Sequence, residues 1–176
     1  MLRNVVLGWV PWADVEEVKL DEEGGAWQVR LRATIAVSGF ARPEGKDAKT
    51  WVIAGVEPVH YVFPRAFATT LGTTYTAQRE RATALSIEMP IQFHMKRRIE
   101  LPPAATVERA PAPVAVDGEL LDATRTTKVE GQTIVDELRL SLPTGTVGPE
   151  DYARFVDHVQ AVDSGFMAGT RVKIAR

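Results

Sequence analysis

Asp151, Arg154 and His158 stand near the end of the chain at spacings of three and four, which puts side chains on one face of a helix. An acid, a guanidinium anchor and a base so placed could carry acid–base chemistry. The same spacing also makes a solvated face with weak ion pairing, and the surrounding pattern favours that reading. Only three histidines occur, His60, His94 and His158. His60 and His94 fall in separate strand-like stretches, so an enzyme site built from them would have to be assembled in space with scattered carboxylates. None of the three has the spacing of a zinc-binding helix. Asp136 and Glu137 are neighbours, so in a strand they project to opposite faces and cannot act as a pair. Leu71-Gly72-Thr73 lacks the Lys and Ser/Thr of a phosphate loop, and no Gly-x-Ser-x-Gly elbow is present. The chain contains no cysteine, which removes thiol nucleophiles, Cys-ligated zinc and disulfides in one step. These residues assign no catalytic group, metal ligand or cofactor. Of the four tryptophans, Trp9 and Trp12 flank Pro11 and are the plausible exposed aromatics, a candidate interaction surface. Trp27 and Trp51 sit in strands, where packing is the ordinary role.

The chain that must position these groups has 176 residues, 45% of them hydrophobic and 25% charged, with a formal net charge of −2. That suits a single globular domain spanning 1–176 and argues against nucleic acid or an anionic membrane as partner. The run Lys96-Arg97-Arg98 lies between apolar residues of a strand and reads as a solvated strand face. No apolar stretch approaches the roughly 20 residues that span a bilayer. The opening residues lack a signal-peptide cleavage site. Two locations follow as expectations: cytoplasmic, or exported to the periplasm if the chain is cut from a longer parent.

Alternation dominates the sequence. Trp27, Val29, Leu31, Ala33, Ile35 and Val37 share one phase of a strand, and Leu85 through Met95 repeat the pattern around Pro90. Proline cannot donate a ladder hydrogen bond, so a bulge, an edge or a strand switch is expected at Pro90. Glu130-Gly131-Gln132 predicts a hairpin turn, with Gly131 free to take positive φ. About eight to ten short strands without interleaved helices predict an antiparallel two-sheet β-sandwich, immunoglobulin-like or related. Then the period changes: Tyr152, Phe155, Val156, Val159 and Val162 form one helical stripe. Pro149 suits the first helical position, Glu150 and Asp151 complement the helix dipole, and Gly165 offers a left-handed stop. The spacing therefore predicts a C-terminal helix over 149–164 packed on the sandwich, followed by a short final strand at 170–174.

The order of phrases in the second half resembles a known arrangement. Leu101-Pro102-Pro103, Ala110 to Val114, the Glu130-Gly131 turn, Leu142-Pro143 and Pro149-Tyr152-Phe155 are similar to the β-sandwich domain that follows the transglutaminase-like core in bacterial multidomain proteins. The resemblance covers Arg97 to Val162, with Ala104 standing where that pattern usually has glycine. It implies a non-catalytic accessory domain, because the core's Cys–His–Asp chemistry would reside elsewhere. Its partner would be that catalytic core or another protein, with homodimerisation as a further expectation. The alternatives are a free-standing carbohydrate- or protein-binding module using Trp9 and Trp12, and an enzyme using His60 and His94.

Overall fold

The computed structural model describes residues 13–22, 29–37, 41–45, 49–55 and 70–175. Trp9, Trp12, Trp27 and His60 lie outside these residues. All strand pairing within them is antiparallel. β1 (Ala13–Glu22) and β2 (Val29–Val37) form a two-stranded ribbon. β3 (Ala41–Glu44), β4 (Thr50–Ile53), β7 (Ala105–Arg109) and β12 (Thr170–Ile174) form a sheet ordered β3-β4-β12-β7. β6 (Ile91–Glu100), β8 (Val114–Gly118), β9 (Leu121–Glu130) and β10 (Thr133–Leu142) form the second, ordered β6-β10-β9-β8. β5 (Leu85–Ile87) pairs with β11 (Gly145–Val147). Two helices are described, α1 (Leu71–Tyr75) and α2 (Pro149–Met167). The fold is the expected antiparallel β architecture with one substantial C-terminal helix.

Local chemistry explains the turning points. Gly131 adopts φ +59° at the β9–β10 turn, as its lack of a side chain allows. Pro90 falls between β5, which pairs with β11, and β6, which pairs with β10. The proline marks a strand switch, one of the three outcomes its missing N–H permits.

The sheet β6-β10-β9-β8 serves two apolar cores. Leu138, Leu140 and Leu142 of β10, with Leu121 and Ala123 of β9 and Ile91 of β6, pack against Tyr152, Phe155, Val159, Val162 and Phe166 of α2. Further along the same strands, Ile134 and Ile99 join Ile53, Ala105 and Val172 of the other four-stranded sheet. One sheet thus meets the helix over part of its length and the second sheet over the rest.

The helix runs three residues beyond the expected end, to Met167, and its cap is Ala168. Gly165 is not a left-handed stop; among the described glycines only Gly45 and Gly131 have positive φ. Its glycine is required for a different reason. A Cβ at Gly165 would stand 2.2 Å from Val114 Cγ2, so α2 lies against β8 at a distance only glycine permits.

Two outcomes follow. Phe155→Ala removes a ring that is 6% exposed and is expected to cost about 3–5 kcal/mol in a denaturant titration. Gly165→Ala should cost about 1–3 kcal/mol by overpacking, and Val114→Ala in the same chain should recover part of that loss. No recovery would mean that α2 does not sit on Val114.

Candidate functional site

Between the two cores lies a layer of buried charge. Arg125 of β9 is 0% exposed and Asp136 of β10 is 1% exposed. Both occupy the inward phase of their strands, as does Arg97, which pairs with Asp136 in the β6–β10 register. Asp136 Oδ1 accepts from Arg125 Nε at 3.0 Å and from the Thr127 hydroxyl at 2.9 Å. Its Oδ2 accepts from Arg125 Nη2 and from Arg97 Nε, both at 2.9 Å. Arg97 Nη2 is 2.7 Å from the same oxygen but makes no hydrogen bond of its own. Burial pushes the Asp136 carboxyl upward, yet the hydrogen bond from Arg125 and the charges of Arg97 and Arg125 outweigh it and hold the group below the ordinary carboxylate range.

The other end of Arg125 reaches α2. Its Nη1 donates to the carbonyls of Gly165 (2.6 Å), Phe166 (2.9 Å) and Ala168 (2.9 Å). These carbonyls belong to the helix terminus, where acceptors lack partners within the helix and the dipole favours a cation. Arg97 Nη1 donates to Ala54, just past β4. The layer therefore ties together β6, β9, β10, the end of α2 and the end of β4. Its chemistry is structural, since each charge is matched by an opposite charge or an orphaned carbonyl.

On the opposite face, Glu137 accepts from Arg139 Nη2 and meets His94 Nε2, both at 2.9 Å. Those two partners, Arg139 foremost, hold its carboxyl below the usual range. Asp136 and Glu137 are separated as the strand period requires. The reading of Lys96-Arg97-Arg98 as a solvated face needs correction at its centre. Lys96 and Arg98 are exposed, but Arg97 turns inward, because period-2 geometry gives it the opposite side from its neighbours. His94 is exposed on the outer face.

The chemistry-bearing residues of α2 border a cleft of about 640 Å³. Asp151, Arg154, Phe155 and His158 form one wall, Asp117 to Leu121 at the β8–β9 turn a second, and Gly145 to Val147 of β11 a third. Asp151 and Arg154 are exposed and pair at 2.8 Å, the i,i+3 bridge of a solvated face. His158 departs from that description: it is half-buried, and a Cβ on Gly118 would lie 2.8 Å from its Nδ1. Thr146 contributes a hydroxyl-bearing residue to the lining. Among the described residues no group of three His, Asp or Glu side chains could hold a metal ion.

Sequence reasoning missed Arg125 and Asp136 as partners, and Asp117 and Glu119 as lining. The first pair did leave a signal, charged residues in the inward phase of adjacent strands. The lining acids left none, because turn carboxylates are ordinary.

A family model described as Domain of Unknown Function with solved-structure structure (DUF3858) matches residues 59–166, more than half of the chain. That span contains the whole Arg97–Val162 stretch that carries the resemblance. No curated protein and no solved structure matches the chain.

Arg125→Met should destabilise by about 3–5 kcal/mol, because it strips a buried carboxylate of its best partner. Glu137→Gln, on the solvent face, should leave the melting temperature close to the parent's. Because Asp136 is depressed in the folded state, its contribution is fully present above the ordinary carboxylate value, about 3.9, and is lost as pH falls from there through the lower native value. Acid titrations of stability should show that loss in the parent, and Asp136→Asn should flatten it.

Proposed function

We propose that this chain, which belongs to the DUF3858 family, is a non-catalytic accessory domain that docks on a protein partner, the transglutaminase-like catalytic core of a bacterial multidomain protein. The observation that carries this reading is how the charged groups are used. The Asp136 carboxylate is tied to two arginines, Glu137 to Arg139 and His94, and Asp151 to Arg154. Each candidate acid that the sequence offered for chemistry is thus engaged in holding elements together or in pairing on a face. The absence of cysteine from the sequence agrees, since a thiol nucleophile would have to come from another domain. The order of Pro, Gly and aromatic phrases from Leu101 to Phe155 supplies the transglutaminase association.

Docking asks for a rigid body with a defined surface. The buried charge layer and the two cores give that rigidity, as they fix α2 and both four-stranded sheets to one another.

Mixing the purified chain with a transglutaminase-like catalytic domain encoded in the same or an adjacent reading frame should give a complex on size-exclusion chromatography with light scattering. The chain alone should turn over no peptide or amide substrate. Turnover that disappears on changing His60 or His94 would overturn the reading in favour of an enzyme.

A further inference from the structure

The two apolar cores share no residue and differ in size. Among the described residues, sixteen buried ones make the core under α2, with Tyr152, Phe155 and Phe166 among them. Four make the other: Ile53, Ala105 and Val172 of the β3-β4-β12-β7 sheet, and Ile134 of β10. Apolar area removed from water sets most of an attachment, so that sheet is held the more weakly. Its strands are coupled at one corner by close backbone approach. A Cβ on Gly169 would stand 2.7 Å from the Ile53 carbonyl oxygen, and one on Gly55 would strike the Met167 backbone. The end of β4 thus rests on the junction of α2 with β12.

The charge layer between the cores stays with the larger one. Arg97, Arg125, Thr127 and Asp136 all belong to β6, β9 and β10, and their mutual bonds lie within that sheet. The Arg125 bonds to Gly165 and Phe166 go to a helix end whose Phe166 ring is fully buried in the larger core. Only the bonds to the Ala168 and Ala54 carbonyls reach towards the smaller sheet. Water can replace those two on opening, and it also rehydrates guanidinium groups that the closed form holds desolvated. We infer that the molecule opens at this layer: the β3-β4-β12-β7 sheet comes away as one unit, rarely and reversibly, while the helix core stays closed. Opening uncovers Ile134 on the central sheet and leaves the cleft beside His158 intact, since its walls belong to the larger core.

Hydrogen exchange of the isotope-labelled full chain, followed by NMR at guanidinium concentrations below the unfolding transition, tests this. Amides of β4 and β12 should share one protection level and one shallow denaturant slope, since the slope tracks the surface exposed. Amides of Leu138, Leu140, Val159 and Val162 should be at least about hundredfold more protected, with a steeper slope. Two mild truncations of buried residues separate partial from global opening. Val159→Ala weakens the larger core, which the open form retains. It should speed exchange at Leu138 and Leu140 about tenfold and leave β4 and β12 unchanged. Val172→Ala weakens contacts that opening breaks, so it should speed both sets by the same factor. One protection level and one slope for all these amides would overturn the proposal, as would a Val159→Ala effect as large in β12 as in β10.

Discussion

A carboxylate with almost no exposure, held by two arginines, is the constraint around which the molecule is arranged. Desolvating three charges is costly, and such a cluster persists only where geometry is good and the remaining donors are satisfied. Asp136 cannot balance Arg97 and Arg125 alone. The excess positive charge is met by backbone carbonyls, three from the end of α2 and one from Ala54. The helix must therefore end above Arg125, and β4 must end near Arg97. Once α2 is fixed in that way, its contact with Val114 follows, and so does the need for glycine at 165.

The same cluster relates the interior to the surface. His158 stands ten residues before Ala168, so the cleft wall lies about 15 Å along the helix from the anchored end. Tyr152, Phe155, Val159 and Val162 hold the intervening turns to the sheet. Asp163 adds a lateral tie by accepting from the N–H groups of Leu71 and Gly72. The cleft wall therefore belongs to a helix fastened at its far end and along its buried stripe.

Much of this was legible in the sequence wherever a residue's local preference and its tertiary role coincide. Pro149, the apolar stripe of α2, Gly131 and Pro90 each mark a boundary that backbone chemistry imposes regardless of context. β1 was harder to see. A bulge between Val15 and Glu17 shifts its register against β2, which breaks the alternation that advertises a strand. Gly165 was misread because a glycine near a helix end most often terminates it, whereas here close approach of a neighbouring strand decides. Arg97 was misread because a basic triplet looks like one surface, although a strand sends its middle member to the other side. The cleft was least legible. Its walls come from a turn, a three-residue strand and a helix far apart in sequence, and nothing local encodes their meeting.

The place of β12 carries a consequence for the order in which the molecule is made. It is the last described strand to be synthesised, yet it stands in the interior of its sheet, between β4 and β7. During synthesis β4 and β7 emerge long before the strand that joins them, each with a row of backbone groups and no neighbour there. Domains generally fold as units as the ribosome releases them, and this sheet cannot close until Thr170–Ile174 is out. Ribosome-bound chains stalled before that point carry two open strand edges, a template for mispairing between nascent chains and a natural point of attention for chaperones.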